Sequence, residues 1–542
     1  METATPQPFQ ARTFSIKLWP PSQATRVMLV ERIAKNLSTE SIFSRKYGLL
    51  TKEEATLDAK EIEEAGFAAA DEHYEREPDG DGSSAVQLYA KETSKLMLQV
   101  LKRGPKPKKA VVGEEPAIPL QKVFDISGGK RAFLDAQEAE ELLRPLAEEG
   151  NSYTRICFSN RSFGLDAAHV AGPILESLKG QLTEVDLSDF VAGRPEEEAL
   201  DVMRVFAAAL EGTTLRYLNL SDNALGEKGV RAFASLLSSQ GSLEELYLMN
   251  DGISEEAARA VAELVPSTEK LKVLHFHNNM TGDEGAVAIS EILRRSPALE
   301  DFRCSSTRVD SEGGIALAEA LETCTLLRKL DLRDNMFGVD AGKALSRTLE
   351  KLPAITELYL SYLNLEDEGA VAVCKALEGS ALPLTVLEMA GNDITAAAAP
   401  VLCSCISSKQ SVVKLNLSEN ELKDGGAVLI GKALESGHPQ LRELDMSSNS
   451  IGRAGARCLA RAVAASNKLE FSLLNINGNV ISEEGIDEVR EILKSGKNSV
   501  SVLGPLDEND AEGEGEEEEE EPEEGADEGG LESKLQQLNV EQ

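Results

Sequence analysis

The sequence predicts an α/β solenoid of leucine-rich repeats, flanked by a small all-α N-terminal domain and a disordered acidic tail. Three observations carry this. First, segments of one shape recur: "TLRYLNLSDNALG" (214–226), "LEELYLMNDGIS" (243–254), "KLKVLHFHNNMTG" (270–282), "LLRKLDLRDNMFG" (326–338), "SVVKLNLSENELK" (411–423) and "QLRELDMSSNSIG" (440–452). Second, one position of that pattern, usually Asn, falls at Asn223, Asp251, Asn279, Thr307, Asn335, Leu363, Asn392, Asn420, Asn449 and Asn479, at spacings of 28 to 30 residues. A fixed period in this range marks a stack of supersecondary units. Third, stretches such as "EGAVAISEILRRS" (284–296) carry apolar residues at helical spacing between the recurring segments.

Residues 1–101 lack the repeat. Val27, Val30, Ile33, Ala34 and Leu37 fall on one helical face. Thr51 with Glu54 is a capping box for a second helix near 52–76, and a third follows "PDGDG" near 84–103. Residues 102–119, "KRGPKPKKAVVGEEPAIP", read as a Pro- and Lys-rich linker. Residues 120–505 form the repeat domain, with "KVFDISGGKRAFLDAQEAEELLRPLAEEG" (122–150) as strand and helix capping its first end. Two weaker copies precede the regular ones, with their ladder positions at Arg161 and Phe190. In a regular copy Leu215, Leu218 and Leu220 turn inward, while Tyr217, Asn219 and Ser221 face a concave parallel sheet. Helices form the convex side, and each repeat buries its apolar face only against neighbours. The ladder Asn side chains satisfy backbone groups that the turn would otherwise bury unpaired. From Phe190 to Asn223 is 33 residues, about five more than the period. The excess, "FVAGRPEEEAL" (190–200), places Arg194 in a protruding rim loop. Residues 506–542 are the tail; 507–528 hold 15 acidic residues and no Lys or Arg, too charged to fold alone.

The formal net charge is −37, so about −22 remains on the rest of the chain once the 15 tail acids are set aside. Such a surface disfavours nucleic acid and favours a basic protein partner. Outward strand positions such as Glu184, Asp301, Asp331, Glu388 and Asp445, with Tyr217, Tyr247 and Tyr359 among them, suggest binding on the concave face. No apolar run is long enough to span a membrane, and no secretory signal opens the chain. The seven Cys have no metal-ligand spacing, and His275 with His277 lack a third ligand for zinc. There is no phosphate-binding GxxxxGK[ST] loop. The residues alone point to a binding protein rather than a hydrolase.

The repeat period, the "SDF…GR" insertion, "LSDNALG", "LYLMND", "LRDNMFG" and the acidic tail together resemble the Ran GTPase-activating protein family over roughly residues 120–530. "LWPPSQATRVMLVERIAKNLSTESIFSRKYG" (18–48) resembles the WPP domain, which marks the plant members. The resemblance implies a crescent of the ribonuclease-inhibitor type that binds the GTPase Ran and accelerates its GTP hydrolysis. It has no cofactor of its own, because GTP and magnesium belong to Ran. The family's mechanism implies no arginine finger. An Asn on the crescent helps hold Ran's Gln, which orients the attacking water. That Asn falls on Asn250, just before ladder position Asp251, with Asn223 as a second candidate. Arg194 would contact Ran or support the site, Asp334 would contact a basic Ran side chain, and an acid at 251 departs from the family's Asn-Asn pair. Trp19, Pro20 and Pro21 would target the chain to coiled-coil anchor proteins of the nuclear envelope, with no direct membrane insertion; the alternative for Trp19 is a core or staple side chain of the helical domain. The implied locations are the cytoplasm, the outer face of the nuclear envelope and, in division, the spindle and cell plate. A non-catalytic repeat scaffold and a ribonuclease-inhibitor-like blocker are the competing readings; the second lacks that family's abundant Cys and Trp.

Overall fold

The structure, a computed structural model, describes residues 19–21, 23–38, 50, 52–76, 82–104, 122–128, 131–435, 437–465, 471–496 and 502–510. The chain divides into two units, 1–118 and 119–542. The expected Thr51 cap, most of the linker and the tail beyond 510 lie outside the described residues.

The first unit contains three helices, α1 (Gln23–Ser38), α2 (Lys52–Arg76) and α3 (Ser83–Arg103). Ile33 and Leu37 of α1, at i and i+4, meet Ala55, Ala59 and Ile62 of α2, with Val30 and Ala34 packed beside them. The side chain of Val27 is not among those described. Two acids are buried in α2, and each is paired, as a buried charge must be. Arg26 donates to both Glu63 oxygens at 2.7 Å, and Arg103 pairs with Asp58. Trp19 is buried: its ring stacks on Phe67 at 5.2 Å between centroids, and its Nε1 donates to Asp71 at 3.1 Å. Gly82, at φ 85°, passes so close that a Cβ there would lie 2.4 Å from the Trp19 Cβ. Of the two readings of Trp19, this burial favours the core one, because its indole faces its own domain's interior. Pro20 is the exposed member of the motif and Pro21 is half-buried.

The second unit is a stack of parallel strands. β1 (Lys122–Asp125), β2 (Ala132–Leu134), α4 (Ala136–Ala147), β3 (Tyr153–Cys157), β4 (Arg161–Phe163), α5 (Leu165–Ser177), β5 (Glu184–Asp186) and α6 (Glu196–Leu210) begin it. Asp135 and Glu138 close a reciprocal capping box at the start of α4. The regular strands follow: β6 (Tyr217–Asn219), β7 (Glu245–Tyr247), β8 (Val273–His275), β9 (Asp301–Arg303), β10 (Lys329–Asp331), β11 (Glu357–Tyr359), β12 (Val386–Glu388), β13 (Lys414–Asn416), β14 (Glu443–Asp445) and β15 (Leu473–Asn475). β1, β3 and β5–β15 form one thirteen-stranded sheet in sequence order, and β2 pairs with β4 apart from it. The register advances by one repeat at each step, as in Leu218↔Leu246↔Leu274↔Phe302↔Leu330. Each of these central residues is almost fully buried. Burying such a side chain contributes about 1.5–3 kcal/mol, and the same contribution recurs at every strand. Ser221, expected to face outward, is buried, and its hydroxyl accepts from the Met249 N–H of the next repeat.

The array runs past its expected end at 505. Leu503 pairs with Leu474, and the Asn509 side-chain Oδ1 accepts from Asn479 N–H at 3.0 Å. Asn509 therefore occupies one further ladder position.

Candidate partner-binding rim

The ladder makes the turns rigid. Asn279 shows its usual chemistry. Its Oδ1 accepts from the N–H groups of Asp251 and Ile253, both at 3.0 Å, and its Nδ2 donates to the carbonyls of Leu248 at 2.7 Å and Phe276 at 2.6 Å. Asn223 does the same, accepting from Phe190 N–H and donating to Leu187, Leu220 and Ser221 carbonyls. Its amide is buried and fully used. This geometry favours the ladder role of Asn223 over its candidacy as a residue that touches a partner: it holds two turns together and offers no group outward.

Asp251 is the exception in the ladder. Its Oδ1 accepts from Asn223 N–H at 2.8 Å, but its Oδ2 is fully buried and has no hydrogen-bond partner among the described residues. Burial pushes its pKa well above the ordinary carboxyl range; the Asn223 N–H opposes this and the nearby Asp222 charge adds to it.

The residue just before each ladder position is left-handed. Asp222, Asn250, Asn278, Ser306 and Asp334 have φ between 54° and 65°. Asn and Asp tolerate this conformation better than most residues, which gives a backbone reason for their presence. The turn aims these side chains away from the core, along the rim. Asn250 is exposed, and its Nδ2 donates to Asp222 Oδ1 at 2.8 Å. Its Oδ1 accepts from Asn278 Nδ2 at 2.9 Å. The Asp222 carboxylate can only accept, so it fixes which end of the Asn250 amide is nitrogen. A primary amide has two N–H donors and two carbonyl lone pairs. One of each remains for a partner. Asn250 is thus held in orientation by neighbours 28 residues away on either side, a role for Asp222 and Asn278 not foreseen from sequence. The signal was present in the phase of "SDN" and "HNN", each with its polar residue one place ahead of the ladder.

Asn250 and Asp334 line one open groove of about 530 Å³, with Asn278 and Ser306 between them. Met280, Arg308 and Met336, each one residue after a ladder position, line the same groove. The structure therefore brings together two of the four residues expected to act on a partner.

Arg194 stands apart from them and is not solvated. Its guanidinium donates to the Ser162 carbonyl at 2.7 Å, the Leu134 carbonyl at 3.1 Å and the Ser162 hydroxyl at 3.2 Å. It lies 3.6 Å from a Glu198 carboxylate oxygen and 5.0 Å over the Phe133 ring. The inserted residues fold back onto β2 and β4 instead of protruding, because Arg194 supplies donors to carbonyls at that short pair's end.

The concave strands are largely charge-paired among themselves. Arg155 meets Glu184 at 3.0 Å, Lys329 meets Glu357 at 2.9 Å, and Arg333 bridges Asp331 and Glu388 at 2.8 and 3.1 Å. The Tyr247 and Tyr359 hydroxyls donate to Glu245 and Glu357. His275 contacts Asp301 at 3.0 Å and His277 contacts Ser305 at 2.7 Å. Much of the acidity expected to face a basic partner is thus already engaged across strands.

Comparison with known proteins agrees with both units. The WPP domain family matches residues 15–111. Leucine-rich repeat matches fall at 213–234, 323–346, 408–431 and 438–460. RAN GTPase-activating protein 2 of Arabidopsis thaliana is 69% identical over 504 residues, covering 92% of each chain. RAN GTPase-activating protein 1 of the same plant is 64% identical over 537 residues, covering 98% of each. MFP1 attachment factor 1 of Solanum lycopersicum is 41% identical over 102 residues, 19% of this chain and 66% of that protein. Near-complete coverage at this identity, with the WPP unit and the repeat crescent in the same order, means that the chain belongs to the plant Ran GTPase-activating protein family.

Proposed function

We propose that this chain accelerates GTP hydrolysis by Ran, with Asn250 as the residue that completes Ran's active site. The orientation of the Asn250 amide carries the reading. It is exposed and positioned from both sides, and it retains one donor and one acceptor. That pair complements the carboxamide of a Gln, the side chain that orients the attacking water in this class of GTPase. Holding that Gln lowers the barrier by positioning alone, with no charge delivered to the phosphates. GTP and magnesium are bound by Ran, and this chain adds no cofactor. Asp334, in the same groove, offers a carboxylate to a basic side chain of Ran. Arg194 supports the crescent's first turns through Ser162 and Leu134 and is not a finger. The helical unit serves as the anchor, with Pro20 on its surface, and docks coiled-coil proteins of the nuclear envelope. The similarity to an MFP1 attachment factor supports an attachment role.

Single-turnover GTP hydrolysis by purified Ran, with and without catalytic amounts of the full chain, tests the proposal. Wild type should accelerate hydrolysis by several orders of magnitude. Asn250→Ala should remove about 10²-fold or more of kcat while Ran still binds. Acceleration that survives the substitution would refute the role of Asn250. No acceleration by wild type would refute the activator itself.

A further inference from the structure

We propose that Met280, Arg308 and Met336 form a docking strip for an extended segment of the bound GTPase that presents a carboxylate between two apolar side chains. The inference rests on the activator reading above and specifies what this part of the Asn250 groove recognises.

Arg308 is exposed and has no hydrogen-bond or ion-pair partner among the described residues. In this it differs from several arginines near the sheet. Arg155, Arg216, Arg303, Arg328 and Arg333 of the same sheet region all reach a carboxylate. Arg308 is also the single basic residue lining the groove. It sits at φ 61°, a left-handed conformation that a long side chain adopts at a cost.

Its neighbours in the same row are apolar and exposed: Met280 at 46% and Met336 at 48%. Met adapts its shape to a partner's apolar surface, and exposed methionines are over-used at binding surfaces. Rows in a parallel sheet are about 4.8 Å apart, so the two methionines are separated by about 10 Å along the rim, the span of about three residues of extended chain. A segment crossing the row would place one side chain on each Met and an acid at the guanidinium between them. Charge complementarity selects the acid: a fixed fork of donors with no internal acceptor is matched by a carboxylate.

The test is steady-state GTP hydrolysis at varied Ran·GTP with the full chain. Arg308→Gly relieves the left-handed backbone, so the variant should fold at least as well as wild type. It should raise KM about tenfold or more with kcat within twofold. Arg308→Glu should raise KM further, and Met280→Ala with Met336→Ala should raise it several-fold. Lys substitutions at surface acids of Ran, tried one at a time, should include one that restores a low KM to Arg308→Glu. Unchanged KM in both Arg308 variants beside an active wild type would overturn the strip and leave the activator intact. A rise that no Ran substitution rescues would overturn the carboxylate as its occupant. An inactive wild type would instead remove the activator reading on which the strip depends.

Discussion

Replacing Asp251 by Asn should stabilise the crescent, by an amount that grows with pH. Asn279, one repeat on, shows what the amide would gain: donor bonds to two carbonyls at 2.7 and 2.6 Å. Asp251 keeps only the acceptor bond from Asn223, while its second oxygen is buried without a partner among the described residues. One or two new hydrogen bonds at about 1 kcal/mol each, together with relief of the unpaired oxygen, suggest a gain of about 1–3 kcal/mol. The pH dependence follows from the raised carboxyl pKa. Below about pH 4 the folded and unfolded chains both hold the proton, and the carboxyl contributes no pH-dependent loss. Above that, the unfolded chain releases it while the folded chain retains it. Stability then falls by up to about 1.4 kcal/mol per pH unit, until the folded pKa is passed and the loss levels off. Asn does not titrate, so the gap between variant and wild type widens across that window. Solenoids open locally, so the assay is hydrogen exchange at the Asn223 and Gly226 amides, taken as the ratio of wild type to variant from pH 5 to 8. These amides donate to the side chain and the carbonyl of Asp251, respectively. A variant that protects them less than wild type, or a ratio flat with pH, would refute the reasoning.

Other outcomes follow from the same geometry. Asp222→Ala removes the acceptor that orients the Asn250 amide. It should lower kcat about tenfold with little change in KM, read by the Ran hydrolysis assay. Arg194→Lys cannot serve two carbonyls and a hydroxyl with a planar fork. It should destabilise the first repeats by about 2–3 kcal/mol, seen as faster exchange in 131–165, with kcat falling only as far as folding does. Trp19→Ala should unfold the helical unit, at a cost of about 3–5 kcal/mol, whereas Pro20→Ala should leave its circular dichroism unchanged and weaken recovery of a coiled-coil anchor fragment.

The crescent was legible in the sequence because one physical problem recurs at every period. Leu215, Leu218 and Leu220 must be buried, and an Asn must close the turn, so the same letters reappear wherever the strand does. The single-residue offset of Asn250 from the ladder was legible for the same reason, and it separates an outward amide from the buried one of Asn223. The packed setting of Arg194 was not legible because its partners, Leu134 and Ser162, lie 60 and 32 residues upstream in irregular copies with no reliable phase. A docking role for Trp19 comes from resemblance alone, while the two aromatics that pack on it, Phe67 and Tyr89, are brought together only by helix packing. Arg308 gave no signal, because the absence of a partner is a property of three-dimensional surroundings and leaves no mark in the chain order.

The left-handed residue ahead of each ladder position has a consequence for how such a surface changes over time. Its backbone is set from behind, by hydrogen bonds such as Asn250 N–H to the His277 carbonyl and Asp334 N–H to the Ser361 carbonyl. Its side chain takes no part in closing the turn. Asp, Asn, Ser, Tyr and Glu all occupy the position in this one chain, at Asp222, Asn250, Ser306, Tyr362 and Glu419. Selection can therefore rewrite this row one letter at a time, testing new partners, while the scaffold that presents the letters stays the same.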